Sequence, residues 1–160
     1  MKILDGKIVR DEILARLKKE FAKLAEVTKL AIIQVGARTD SNTYVRQKKI
    51  FAEKVGVVIE HLKFPENCLP AEIIEKINVL NADESIHGII LQLPLPVGFN
   101  TDEIFEVINP NKDVDGLTAK NLSRLSAGDL DGLIPATAKG ILKILDYYKI
   151  PIVGKRATVI

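Results

Sequence analysis

The residue with the clearest chemical potential is Lys48, which lies in the middle of an apolar helical stripe. On a helix of 3.6 residues per turn, the same face carries Tyr44, Val45, Phe51, Ala52 and Val55. Burial of a lysine charge is unfavourable, so the amine either reaches water along an apolar stem or faces a cleft. In a cleft, an amine sheltered from water can exchange protons near neutral pH.

Two further segments place polar groups where they could act together with this lysine. The run LQLPLP (91–96) carries Gln92 inside an apolar strand, and the turn-rich loop PNKDVDG (110–116) carries Asp113 and Asp115. An amide can orient an amine without adding charge, and a carboxylate can accept a pair of hydrogen bonds from a ligand. The D-x-D-G string matches half of a calcium loop, but the later glutamate is missing, so we expect no metal site.

The composition excludes several classes of protein. A chain of 160 residues with 47% hydrophobic residues can bury the core of about one domain. The net charge of +2 and the absence of a basic block argue against nucleic-acid binding. The single cysteine, Cys68, excludes an internal disulfide framework and fits a reducing, cytoplasmic location. The charged start is not a signal peptide, and no apolar run is long enough for a membrane span.

Hydrophobic periodicity predicts alternating helices and strands. Apolar strands in this order are typical of a mostly parallel sheet with helices on both faces, a three-layer α/β/α fold. Asp40 or Ser41 is expected to cap the second helix, Gly56 to end it and Thr137 to cap the last one. Residues 109–135 are predicted to be irregular. The predicted helices span 7–24, 40–56, 70–81, 101–108 and 137–148, and the predicted strands span 29–36, 57–64, 86–93 and 156–160.

The last predicted strand indicates a second unit. The segment KIPIVG (149–154) separates the α/β domain at 1–150 from residues 151–160, and the final strand has no predicted partner. We therefore expect the chain to stop as a further α/β unit begins. In open parallel sheets ligands bind beyond the carboxyl ends of the strands, so the polar residues above should meet at one edge.

Four segments in series resemble the bifunctional methylenetetrahydrofolate dehydrogenase/methenyltetrahydrofolate cyclohydrolase family. They are SNTYVRQK, GIILQLPLP, NKDVDGLT and IPATAKG, in the family's order and at similar spacing. The resemblance implies an N-terminal catalytic, folate-binding domain at 1–150 and the opening of an NAD(P)-binding Rossmann domain at 151–160. It implies oxidation of 5,10-methylenetetrahydrofolate with NADP or NAD, hydrolysis of the product to 10-formyltetrahydrofolate, and a homodimer.

The same resemblance implies roles for individual residues. Lys48, Gln92 and Asp115 match the catalytic group, with Gln92 hydrogen-bonding the lysine and Asp115 holding the polar edge of the pterin. Tyr44 matches the tyrosine that packs against the folate ring. These types suit the reaction, because an uncharged amide orients the amine without adding a negative charge near a cationic methenyl intermediate.

Other implied contacts concern the walls of the cleft. Leu91 and Leu93 match the substrate-lining segment around the glutamine, and Thr137 matches a weak cofactor contact. The family usually shows Pro-Cys-Thr-Pro where residues 135–138 read Pro-Ala-Thr-Ala. No G-x-G-x-x-G phosphate loop occurs, and in the family it would follow Ile160.

Two alternatives remain open from the sequence. One is a dehydrogenase-only relative, against which the retained lysine and glutamine argue. The other is a non-catalytic folate-binding domain, which the abrupt end of the chain would fit.

Overall fold

The structure, a computed structural model, describes residues 3–129 and 132–158. Its elements alternate between helices and strands up to the third strand and are helical thereafter. The helices are α1 (Gly6–Phe21), α2 (Thr39–Val55), α3 (Pro70–Ala82), α4 (Thr101–Val107), α5 (Ala119–Ser126) and α6 (Ala136–Tyr147), and the strands are β1 (Lys29–Val35), β2 (Val58–Phe64) and β3 (Gly88–Gln92).

The three strands form a parallel sheet in the order β2-β1-β3. In β1 every residue from Ala31 to Val35 is buried, and all of β3 is buried, as expected for parallel strands covered on both faces. The register pairs Ile33 with Leu91 and Gln34 with Gln92, so equivalent residues of β1 and β3 point to the same face.

Helices cover both faces of the sheet, which confirms the predicted three-layer α/β/α fold. Alternate residues of β1 and β3 divide the core, because successive side chains on a strand point to opposite faces. One face packs on α3 and α4 through Ala31, Ile33, Val35, Ile73, Ile77, Leu80, Ile89, Leu91, Ile104 and Phe105. The other face packs on α1 and α2 through Ile32, Val45, Ile90, Ala52, Val55 and Val57, with Leu14, Leu17 and Phe21 against them.

Helix α2 begins earlier than the sequence predicted. Arg38 occupies the cap position, so the prediction that Asp40 or Ser41 caps this helix is wrong. Asp40 lies in the first turn, where its carboxylate accepts from the Ser41 N–H at 2.8 Å and pairs with Arg38 at 2.9 Å. An acid in the first turn complements the helix dipole, which favours a helix that begins before Asp40. Gly56 ends α2 at φ +82°, as predicted.

The C-terminal third departs most from prediction. Residues 109–135 are not wholly irregular, because α5 forms within them. Helix α6 starts at Ala136 behind Pro135, so Thr137 lies inside the first turn and is not the cap. Of the predicted strand 156–160, residues 156–158 are exposed and in no strand, since no neighbouring strand pairs with them; 159–160 lie outside the described residues. Of the helices within the described ranges, none is both long and apolar enough to cross a bilayer.

Candidate active site

Lys48 and Gln92 meet at the carboxyl edge of the sheet. Lys48 is half-buried on α2, and Gln92, the last residue of β3, is 8% exposed. The lysine Nζ donates to the glutamine Oε1 at 3.2 Å, which confirms the contact that the sequence predicted. The bond forms because Gln92 points to the same face of the sheet as Ile90, the face that α2 covers.

The amide of Gln92 has a fixed orientation. Its Nε2 donates to the Leu93 carbonyl at 2.7 Å, so this group is occupied and the oxygen is directed at Lys48. An oxygen acceptor holds the amine in place while adding no net charge. The remaining hydrogens of the amine stay available to water or to a ligand.

Asp115 is the third polar residue expected at this site. It is half-buried, and burial is the main cause that raises the pKa of its carboxyl. The nearby charge of Lys48 lowers that pKa, and the charge of Asp113 raises it. Asp115 therefore lies within the electrostatic influence of both Lys48 and Asp113.

Tyr44 lies one turn before Lys48 and presents an open aromatic face. Its side chain is 63% exposed. Together with Lys48 it borders a groove of about 440 Å³, whose other walls are mostly apolar side chains of α1, α2 and the sheet. A flat, exposed ring beside a half-buried amine suits a planar heterocycle that carries polar edges.

Comparison with known proteins decides the family. The family described as "Tetrahydrofolate dehydrogenase/cyclohydrolase, catalytic domain" matches residues 4–115. The chain belongs to the tetrahydrofolate dehydrogenase/cyclohydrolase family. Over 99% of its length it is 42% identical to human cytoplasmic C-1-tetrahydrofolate synthase and 43% identical to "Bifunctional protein FolD 2" of Lactobacillus johnsonii.

Solved structures of this family have the same fold. A bifunctional FolD enzyme from Campylobacter jejuni superposes on 94% of this chain with a TM-score of 0.92 at 38% identity. A Trypanosoma brucei dehydrogenase-cyclohydrolase, complexed with NADP cofactor and inhibitor, gives 0.91 at 29% identity over 96% of this chain. The chain spans 54% of each of these two structures, 57% of the Lactobacillus protein and 18% of the human one.

Family membership does not place every expected residue in the site. Leu91 is 2% exposed and packs in the core beneath α3 and α4, on the face opposite to Lys48. Leu93 lies just past β3 and is 39% exposed, so its side chain is accessible at the sheet edge. Thr137 is exposed on α6, a helix that packs against α1 and has no buried residue.

Gln34 was not singled out in the sequence, although it carries the same signal as Gln92. It is a polar residue inside an apolar strand, 1% exposed and in register with Gln92. Its Nε2 donates to Asn42 Oδ1 at 2.8 Å, and its Oε1 lies 2.9 Å from His61 Nε2. Burial, followed by the charges of Lys49 and Lys63, lowers the pKa of His61. This network ties the start of α2 to the sheet.

Lys112 is a second residue that sequence reasoning missed. Its Nζ donates to the carbonyls of Leu80 at 2.9 Å, Asn81 at 2.9 Å and Asp83 at 2.7 Å, at the C-terminal end of α3. A cation at this position satisfies carbonyls that have no partner within the helix. The contact fixes the loop that leads to Asp115. Within the ranges 3–129 and 132–158, no three side chains of His, Cys, Asp or Glu are grouped as a metal would require.

Proposed function

We propose that this chain forms the folate-binding catalytic part of a bifunctional enzyme. The enzyme oxidises 5,10-methylenetetrahydrofolate to 5,10-methenyltetrahydrofolate with NADP and hydrolyses that product to 10-formyltetrahydrofolate. The observation that carries the proposal is the Lys48–Gln92 hydrogen bond of 3.2 Å, together with the effect of the Lys48 charge on the half-buried carboxyl of Asp115. Membership of the tetrahydrofolate dehydrogenase/cyclohydrolase family supports the folate substrate.

In this proposal the pterin binds between Tyr44 and Asp115. The exposed ring of Tyr44 packs on the flat heterocycle. The carboxylate of Asp115 accepts two hydrogen bonds from the guanidine-like edge, which replaces water lost on binding. The bridging carbon between the two folate nitrogens then lies near the Lys48 amine.

Lys48 handles the proton of the hydrolytic step. Water adds to the methenyl carbon and passes one proton to the Lys48 amine, which acts in its unprotonated form. The hydroxyl of this adduct then becomes the formyl carbonyl as the bond between the carbon and one ring nitrogen breaks. The hydroxyl proton goes to that nitrogen, and the amine releases its proton to solvent. Gln92 holds the amine in place through Oε1 and adds no net charge beside it. The product is the 10-formyl compound.

We infer that the dinucleotide binds mainly outside this chain. The sequence has no glycine-rich phosphate loop, and Thr137 stands exposed near the start of α6, a helix with no buried residue. We assign NADP, or NAD, to the part of the relatives' length that this chain does not span. Titration of NADP into the 160-residue chain should give no saturable binding at micromolar concentrations. Saturable binding would show that this assignment of the cofactor site is wrong.

Three further parts of the proposal rest on the relatives. We place the domain boundary near 149–154, where Lys149 and Gly154 have positive φ and residues 151–158 are exposed. Residues 1–150 then form the catalytic domain, and residues 151–160 begin the next domain. We infer a cytoplasmic location, which the name of the human relative states for that protein. We also carry over the homodimer, which the resemblance implies.

The decisive experiment is the Lys48→Met substitution in the protein that carries this chain. Hydrolysis of methenyltetrahydrofolate should fall by about 10²–10⁴-fold, the usual contribution of a positioned acid–base group. Lys49→Met removes the adjacent, exposed lysine of α2 and should leave the rate unchanged. A folded Lys48→Met protein with more than about a tenth of wild-type turnover would contradict the assignment.

A further inference from the structure

Asp113 is a buried carboxylate two residues before Asp115. It is 1% exposed, and its Oδ2 accepts from the Thr118 backbone N–H at 2.8 Å and from Asn121 Nδ2 at 2.9 Å. The Asn121 amide also donates to the Pro110 carbonyl at 2.9 Å. One carboxylate oxygen thus joins Asp113 to the end of the loop and to the first turn of α5, and Asn121 links that turn to the start of the loop.

The backbone on either side of Asp115 is closely packed. The Ile89 N–H donates to the Lys112 carbonyl at 2.7 Å, which attaches the loop to the edge of β3. Val114 lies against Gly88 so closely that a Cβ at this glycine would overlap its Cγ1. The loop therefore lies directly on the sheet, and Asp113 is the buried charged group at its base.

The residue after Asp115 is fixed as well. Gly116 has φ +67°, and a Cβ there would lie 2.7 Å from the Leu133 carbonyl oxygen and 2.8 Å from the Ile134 carbonyl carbon. A side chain would therefore clash with the backbone as well as strain this conformation. Asp115 therefore lies between Asp113, which is anchored through its own carboxylate, and Gly116, which is anchored by close backbone contact.

Resting on the proposed folate function, we propose that Asp113 is a positioning residue of the folate site. Its buried carboxylate fixes the loop from which Asp115 reaches the pterin, and its negative charge acts on Asp115 directly. It contacts no substrate itself. Asp113 thereby has a structural effect and an electrostatic effect on the same neighbour, and the two can be measured separately.

The electrostatic effect has a definite sign. Burial alone would raise the pKa of Asp113, but the hydrogen bonds from Thr118 and Asn121 outweigh it and hold that pKa below its ordinary value. Asp113 is therefore ionised at neutral pH. For Asp115, burial raises the pKa, Lys48 on α2 lowers it, and Asp113 raises it. Removal of the Asp113 charge should lower the pKa of Asp115.

The test compares Asp113→Asn with Asp113→Ala in the 160-residue chain. The Asn variant keeps an acceptor oxygen and loses the charge, whereas the Ala variant loses both. NMR titration of the Asp115 side-chain carboxyl should show a lower pKa in each variant. Calorimetric titration with 5-formyltetrahydrofolate should show an affinity loss of about tenfold or more for Asp113→Ala, as expected when buried donors lose their acceptor, and a smaller loss for Asp113→Asn.

A general loss of stability would not reproduce this pattern. Ile73→Val removes packing from the core under α3 but none of the hydrogen bonds that hold Asp113, and it should leave both the Asp115 titration and the folate affinity unchanged. If Asp113→Ala does not fold, Asn121→Ala tests the same anchor by removing one donor to Oδ2. Two results together would overturn the inference. The pKa of Asp115 would be unchanged in Asp113→Asn, and the folate affinity would be unchanged in Asp113→Ala or, if that variant does not fold, in Asn121→Ala.

Failure of the proposed function would look different. A wild-type chain that does not bind 5-formyltetrahydrofolate, combined with a lowered Asp115 pKa in Asp113→Asn, would remove the ligand assignment. The link between Asp113 and Asp115 would then stand without it.

Discussion

The two sides of the candidate site are held in different ways. Lys48 and Gln92 project from α2 and β3, whose backbone groups are satisfied by helical hydrogen bonds and the β1 ladder. Asp115 projects from a loop between α4 and α5 that pairs with the sheet through an isolated bridge between Ile89 and Asp113. Regular elements position a side chain through many equivalent bonds, whereas the loop depends on a few specific side chains. Loss of one such side chain should therefore have a larger effect on the loop.

The largest effect is expected from Asp115→Ala on the loop side. Removal of one partner of a buried charged pair typically costs about 2–5 kcal/mol, so binding of a reduced folate should weaken accordingly. Calorimetry with 5-formyltetrahydrofolate measures it, and Asp102→Ala, on the exposed surface of α4, provides the control. Unchanged affinity would mean that the loop is not part of the folate site.

The next effect concerns how the loop is held. Lys112→Met removes a cation that binds three carbonyls at the C-terminal end of α3, and hydrogen bonds to charged groups contribute about 1.5–3 kcal/mol. We expect a lower melting temperature and faster amide hydrogen exchange at Val114 and Gly116. Lys120→Met, at the exposed start of α5, should change neither. Exchange that accelerates equally throughout β1 would show that the loop is not an independent unit.

The contrast also explains what the sequence could predict. Helical and strand periodicities gave the three-layer fold and the face of α2 that carries Tyr44 and Lys48, because those patterns repeat along the chain. The Lys48–Gln92 contact followed from the rule that parallel strands bring ligand-binding residues to their carboxyl edge.

The alternation of a strand contained information that was not used. Adjacent residues of β3 must point to opposite faces, so with Gln92 towards α2 its neighbour Leu91 faces α3 and α4. The sequence reasoning placed both beside the substrate, and for the Leu91 side chain the structure shows a core position.

The loop side was harder to foresee because its anchors lie far apart in sequence. Nothing near Lys112 indicates that it reaches carbonyls at 80, 81 and 83, and nothing near Asp113 indicates that Asn121 donates to it. Helix α5 was missed for a related reason: AKNLSRLS is mostly polar, and its one buried residue is Asn121. Tertiary hydrogen bonds rather than an apolar stripe hold it in place.

A smaller effect should appear on the regular side. Gln34→Leu removes the buried side chain that bonds to Asn42 and His61, of which Asn42 is exposed and His61 half-buried. Loss of an ordinary hydrogen bond costs about 0.5–1.5 kcal/mol. The melting temperature should fall, while hydrogen exchange at Val114 and Gly116 should stay near wild type because Lys112 and Asp113 still hold the loop. Gln47→Leu, at an exposed position of α2, is the control. Faster hydrogen exchange at Val114 and Gly116 in Gln34→Leu would contradict the distinction between the two sides.

The smallest effect tests whether Asp115 lies where it does for binding rather than for stability. Its pKa is raised in the folded protein, chiefly by burial, so the folded state binds the carboxyl proton more tightly than the unfolded state does. That contribution to stability is present below the ordinary aspartate pKa of about 4 and is lost as the pH rises through the folded value. At neutral pH the ionised carboxylate therefore destabilises the ligand-free chain, and Asp115→Asn should raise the melting temperature slightly at pH 7. The gain should shrink as the pH is lowered towards about 4, where the wild-type carboxyl becomes protonated.

Asp102→Asn, on an exposed helix surface, should show no such pH-dependent gain. A lower melting temperature for Asp115→Asn at pH 7 would mean that the carboxylate stabilises the loop, in which case Asp115 would be a further anchor like Asp113 rather than a group kept ionised for a ligand.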